Sequence, residues 1–121
     1  MQAEALAAIE AIKSAINLLR KHVGWDTALG RAAALEAQIS SPNFWDSQEN
    51  AQRVMREKTH LDQQIAAITE LKTQLQDQMD LIQLAEEEND AELVDEANAD
   101  LARLAKIAGK KQLESLLSGE A

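Results

Sequence analysis

Between Ala51 and Ile82 the chain repeats one spacing without a break. Ala51, Val54, Leu61, Ile65, Ile68, Leu75, Met79 and Ile82 follow an alternation of three and four, and Lys58 and Lys72 occupy two positions of the same series. That period places one stripe on one face of an α-helix. No glycine or proline interrupts it. The pattern predicts a helix over about residues 47–86, roughly 60 Å long at about 1.5 Å per residue. A helix of that length with a narrow apolar stripe needs helical partners laid along it. Lys58 and Lys72 are expected to run their aliphatic stems along the seam and keep their charges in water.

The flanking segments supply such partners. Ala5, Ile9, Ile12, Ile16, Leu19 and Val23 form one stripe over residues 3–23. Arg20, Lys21 and His22 stand in the last turn, where positive charge complements the helix dipole. Gly24 is a stop signal, because glycine takes the left-handed conformation after a helix at little cost. A second helix runs on to about residue 39, capped by Asp26 or Thr27, with Trp25, Ala28, Ala32, Leu35 and Ile39 as its seam. Asn89 with Glu92 suggests a capping box that opens a fourth helix. Its seam is Val94, Ala97, Leu101, Leu104 and Ala108, flanked by Ile107 and extended by Leu113, Leu116 and Leu117.

The stretch Ser41-Pro42-Asn43-Phe44-Trp45-Asp46 holds the sole proline, the sole phenylalanine and one of two tryptophans. Proline lacks an N–H and biases Ser41 towards extended backbone, so the second helix ends here. Asp46, with Glu49 three places on, resembles a capping box for the long helix. Trp45 then stands in position to staple against Ala51. Pro42, Phe44, Trp45 and Asp46 are thus the expected structural corner, with both rings pinning the join.

Short connections imply antiparallel neighbours. The expected fold is all-α: an elongated antiparallel helical bundle or coiled coil of about four helices, forming a single domain over residues 1–121. Composition agrees. Hydrophobic residues make up 45% but many are alanine, and aromatics are only 2%, so narrow seams suit the chain better than a thick core.

Composition also excludes classes of function. The net charge of −9 disfavours autonomous binding to nucleic acid or anionic lipid. The absence of cysteine excludes disulfides and thiolate metal sites. No apolar run approaches the roughly 20 residues that span a bilayer. The first twenty residues, with Glu4, Glu10 and Lys13, lack a signal-peptide core, which together points to the cytoplasm. His22 and His60 have no second imidazole or thiol at ligand spacing, and no nucleophile, base and orienting group converge. No enzyme activity, catalytic residue, cofactor or metal is expected. The acidic run Glu86, Glu87, Glu88 and Asp90 lacks the residue order of a calcium loop. It reads as a solvated turn and as a candidate docking patch for a basic protein.

Four pieces of the chain carry a family resemblance: Leu18-Leu19-Arg20-Lys21-His22 leading to Trp25-Asp26; the corner from Ser41 to Asp46 with Gln48-Glu49-Asn50-Ala51-Gln52; Leu81-Ile82-Gln83-Leu84-Ala85 running into Glu86-Glu87-Glu88-Asn89-Asp90; and Leu113-Glu114 to Ser118-Gly119-Glu120. Together they resemble the N-terminal domain of the bacterial peptide chain release factor 2 family, within the class I release factors. The most specific piece is the corner, where Ser41 departs from the acid that many family members carry before the proline.

The resemblance implies a role in translation termination: binding the ribosome at a stop codon and triggering hydrolysis of peptidyl-tRNA. It implies that this domain helps position the factor near the large-subunit stalk base and links it to the class II release-factor GTPase. The family's Ser-Pro-Phe and Gly-Gly-Gln motifs do not occur here. The chain is therefore expected to be an excised or naturally truncated domain that does not release peptide alone. Its long seams invite self-association. A free-standing coiled-coil adaptor and a ribosome-associated factor of a related branch stay open on the sequence alone. The reading frame beyond Ala121 discriminates between them.

Overall fold

The computed structural model describes residues 1–118. Gly119 and Glu120 of the expected Ser-Gly-Glu ending lie outside the described residues. The elements are α1 (Ala3–Val23), α2 (Trp25–Ile39), a 3-10 turn (Phe44–Asp46), α3 (Gln48–Glu87) and α4 (Ala91–Leu117). The described residues contain no strand, so the fold is all-α as the periodicity predicts. No helix among them is long and apolar enough to cross a membrane. Packing divides the chain into two compact units, one of Met1–His22 with Ile68–Ala121 and one of Val23–Ala67.

The first unit is a three-helix bundle of α1, the later part of α3 and α4. Its core takes Ala5, Ile9, Ile12, Ala15 and Ile16 from α1, Ile68, Leu71, Leu75, Ile82 and Ala85 from α3, and Ala97, Leu101, Leu104 and Ala108 from α4. A helix that meets two neighbours must bury a wider face than a two-stranded seam requires. Ala15 and Leu71 fill that extra width, and the stripe read from the sequence omits both. Lys72 is exposed, so its assignment to the seam is corrected: Leu71 holds the buried place. Full burial of Ile12, Leu71, Ile82 or Leu101 stabilises by about 1.5–3 kcal/mol each over exposure. The buried alanines carry little area, but their small side chains let helix axes approach closely. Leu113, Leu116 and Leu117, expected to extend the apolar face of α4, are exposed.

The second unit is a helical hairpin of α2 and the earlier part of α3. Val23, Ala28, Leu35, Phe44, Ala51, Val54 and Leu61 are buried in it. Gly24 opens the unit with φ 70, a left-handed conformation that an L side chain takes only under strain. It also stands where α2 would be capped. Neither Asp26 nor Thr27 caps the helix; Thr27 Oγ1 instead donates to the Gly24 carbonyl at 3.2 Å. The Arg31 guanidinium donates to the Val23 carbonyl at 3.0 Å, satisfying one of the carbonyls left open at the end of α1.

Lys58 sits on the seam of this hairpin as the sequence predicts, and it is paired. Its ammonium reaches Asp62 at 2.5 Å along α3 and Glu36 at 3.4 Å across on α2. The hydrogen bond to Asp62 is the main cause that holds its pKa above the ordinary lysine value; desolvation opposes the rise, and the charges of Asp62 and Glu36 add to it. A raised folded pKa means stabilisation present in full below the unfolded value near 10.5 and lost as pH rises through the folded one. We therefore expect the difference in thermal midpoint between the native chain and Lys58→Met to change above pH 10.5 and to stay flat below it. Melting curves across that range test this; a constant difference would show that the pairing contributes nothing.

Candidate functional site

The sequence singles out two turns, and the structure builds each within its own unit. At the corner, α2 ends with Ser40 N–H bonded to Glu36 O and Ser41 N–H to Gln38 O, before Pro42. Phe44 N–H then bonds to Ser41 O at 3.1 Å and Asp46 N–H to Asn43 O at 3.2 Å, closing the 3-10 turn. Phe44 points inward and is 5% exposed, whereas Trp45 is 64% exposed. The rings meet edge to face, with centroids 4.8 Å apart. Adjacent residues of a 3-10 turn diverge by about a third of a revolution, so only one of the two rings can face the core.

Two expectations for the corner are thereby corrected. Trp45 is not a buried staple against Ala51; Phe44 alone pins the join. Asp46 is not the cap of α3, because it closes the 3-10 turn. The cap is Ser47, whose Oγ accepts from Asn50 N–H at 3.3 Å and whose carbonyl accepts from Ala51 N–H at 2.9 Å. The signal was available: Ser47 is a preferred capping residue one place further on.

The acidic turn joins α3 to α4 with almost no loop. Asn89 takes φ 53, and its N–H bonds to Glu86 O at 3.2 Å, while Asp90 N–H bonds to Ala85 O at 2.9 Å. This pair of bonds is a Schellman motif, with asparagine in the left-handed position usually held by glycine. Asn89 therefore ends α3 rather than capping α4. Asp90 caps α4 through its side chain, which accepts from Leu93 N–H at 3.0 Å. Five successive residues thus do two jobs, which fixes the direction in which the exposed Glu87 and Glu88 project. Glu86 is already engaged: its carboxylate meets the Met1 amino group at 3.1 Å, a partner the sequence gives no sign of.

Both turns present side chains at the surface. Among the described residues no three His, Asp or Glu side chains are grouped to hold a metal ion. The corner presents a half-covered indole, and the acidic turn presents carboxylates on a rigid support. Neither brings a nucleophile to a base.

An all-α chain of this build, with its Pro-Asn-Phe-Trp-Asp corner and its Glu-rich turn, belongs to the PCRF domain family, whose sequence pattern matches residues 29–121. At the level of individual relatives it is similar to peptide chain release factor 2 of Paramagnetospirillum magneticum, at 39% identity over the whole chain and 33% of that protein. It is similar to the release factor 2 of Rickettsia bellii at 38% identity, covering the whole chain and 33% of the relative. The match to that of a Ruegeria species is 36% identical over 99% of this chain and 32% of the relative. The chain thus spans about a third of the length of these curated relatives.

Proposed function

We propose that this chain serves translation termination as the N-terminal domain of a class I release factor. It holds the factor on the ribosome through protein contacts and does not catalyse peptide release. The observation that carries this reading is the similarity to release factor 2 along the whole chain, corner and acidic turn included. The partners are the large-subunit stalk base and the class II release-factor GTPase. Glu87 and Glu88 are the contact residues we assign on this chain, because they are exposed and rigidly supported; Glu87 Oε1 also accepts from Gln83 at 3.5 Å along α3. A basic protein surface complements them.

Two measurements test it. Stop-codon-dependent hydrolysis of peptidyl-tRNA is expected to be absent when this chain alone is added to programmed ribosomes; release would overturn the reading. Affinity for purified stalk-base proteins and for the GTPase is expected to fall for at least one of the two, by about tenfold, on Glu87→Lys with Glu88→Lys. Unchanged affinity for both removes the acidic turn as a contact. Glu86 is left native in this test because its reversal would also repel the Met1 amino group.

A further inference from the structure

Helix α4 divides by charge along its length. Glu92, Asp95, Glu96 and Asp100 stand between Ala91 and Asp100 with no cation among them; Arg103, Lys106, Lys110 and Lys111 stand between Leu101 and Leu113 with no carboxylate. The buried row of Ala97, Leu101, Leu104 and Ala108 faces the three-helix core. A second row keeps the same alternation of three and four: Glu92, Glu96, Ala99, Arg103, Lys106 and Lys110, every one exposed. At about 3.6 residues per turn it lies roughly opposite the buried row.

The helix dipole accounts for only part of this order. It favours acid at the start and base at the end, but its effect falls off within the first and last turns. Glu92 lies within its reach; Lys106 and Lys110 stand well before the end of the helix at Leu117. Glu92 with Glu96, and Lys106 with Lys110, are like-charge neighbours at i and i+4, an arrangement that costs a lone helix stability. None of these four forms an ion pair with any described residue. Arg103, between the two blocks, is held by Asp100 of its own helix. The blocks are also placed symmetrically. Glu92 and Lys110 stand equally far to either side of Leu101, and so do Glu96 and Lys106. A row with that symmetry is complementary in charge to itself run backwards.

We propose that the exposed row of α4 pairs with the same row of a second copy, antiparallel about a two-fold axis at the level of Leu101. Glu92 faces the partner's Lys110 and Glu96 the partner's Lys106, and the axis repeats both pairs. Ala99 faces the partner's Arg103, its small side chain leaving room for the guanidinium. Charges along paired helices set partner and orientation, and here they select one register. A slip of one heptad in one direction sets Arg103 against Lys106; in the other it leaves Lys106 and Lys110 with no acid opposite. A parallel pair sets glutamate against glutamate. The contact is one helix wide and polar, and exposed ion pairs each contribute little, so the dimer is a weak one. It uses neither of the two turns and does not depend on a role in termination.

Sedimentation equilibrium on the whole chain tests the pairing. In about 0.15 M salt, repulsion between two acidic copies is screened beyond about 8 Å. A monomer–dimer equilibrium with Kd below about 1 mM is expected there, weakening towards about 1 M salt. Lys106→Glu with Lys110→Glu should weaken the dimer at least tenfold, and so should Glu92→Lys with Glu96→Lys. Mixing these two chains should restore a dimer, because every facing pair is then again of opposite sign. A chain with all four exchanges keeps the net charge of −9 and should dimerise as the native chain does. Circular dichroism checks that each variant keeps its helix content; where a reversal does not, Glu92→Gln with Glu96→Gln and Lys106→Gln with Lys110→Gln replace the two doubles, each expected to weaken the dimer. No dimer below about 1 mM, a dimer unchanged in either double variant, or no association in the mixture of folded reversed chains would overturn the proposal. A dimer that tightens as salt rises and is lost in Leu116→Ser would overturn it too, and give the contact to the exposed leucines at the end of α4.

Discussion

Phe44→Ala is expected to destabilise the chain by about 3–5 kcal/mol, the range for deleting a well-buried phenylalanine. Trp45→Ala, one residue on, is expected to cost less than about 1.5 kcal/mol, since the Trp45 ring is mostly in water and its removal loses only an edge contact to Phe44. The larger side chain thus has the smaller effect. Urea titrations followed by helical circular dichroism measure both. The cause is the 3-10 turn, which aims one ring at the core of the hairpin and sends its neighbour outwards. Equal losses would mean that Trp45 is covered in solution and that the turn does not separate the two rings.

A second contrast lies on α3. Leu71→Ala should cost about 2–5 kcal/mol, because Leu71 is 2% exposed in the core of the three-helix unit. Lys72→Ala should stay within about 0.5 kcal/mol, as for most surface changes. The same denaturation measurements decide it. Were Lys72 the seam residue, its removal would alter packing and the effect of Leu71 would be small.

These contrasts mark how far the sequence could be read. The stripe from Ala51 to Leu61 places the hairpin correctly, because two helices in contact bury one narrow row each. The same three-four rule chooses Lys72 over Leu71, because it assumes one partner helix where α3 has two. Ala15 escapes notice for a similar reason: an alanine beside a row of isoleucines carries no signal until a second neighbour covers it. Exposed Leu113, Leu116 and Leu117 show the converse, an apolar row at helical spacing that the described residues leave uncovered.

The turns behave likewise. Gly24 was legible as a left-handed stop because its lack of a Cβ acts locally. At the acidic turn the break itself was legible, but not the division of labour between Asn89 and Asp90. Both are good capping residues, and only the backbone bonds to Ala85 and Glu86 decide that one ends α3 and the other begins α4. At the corner the sequence points to Asp46 as the cap, but the 3-10 turn takes Asp46 up and leaves the cap to Ser47.

By itself, then, the sequence determined the features that near neighbours along the chain impose on one another: four helices, their stops, their principal buried rows and the resemblance written in the corner and the acidic run. Tertiary structure decided whatever depends on how many partners a face meets. It chose Leu71 over Lys72, Phe44 over Trp45, and the Met1 amino group as partner to Glu86. Local periodicity fixes which residues share a helix face, but burial and charge pairing arise from chain segments far apart in sequence, and those meet only in the folded molecule.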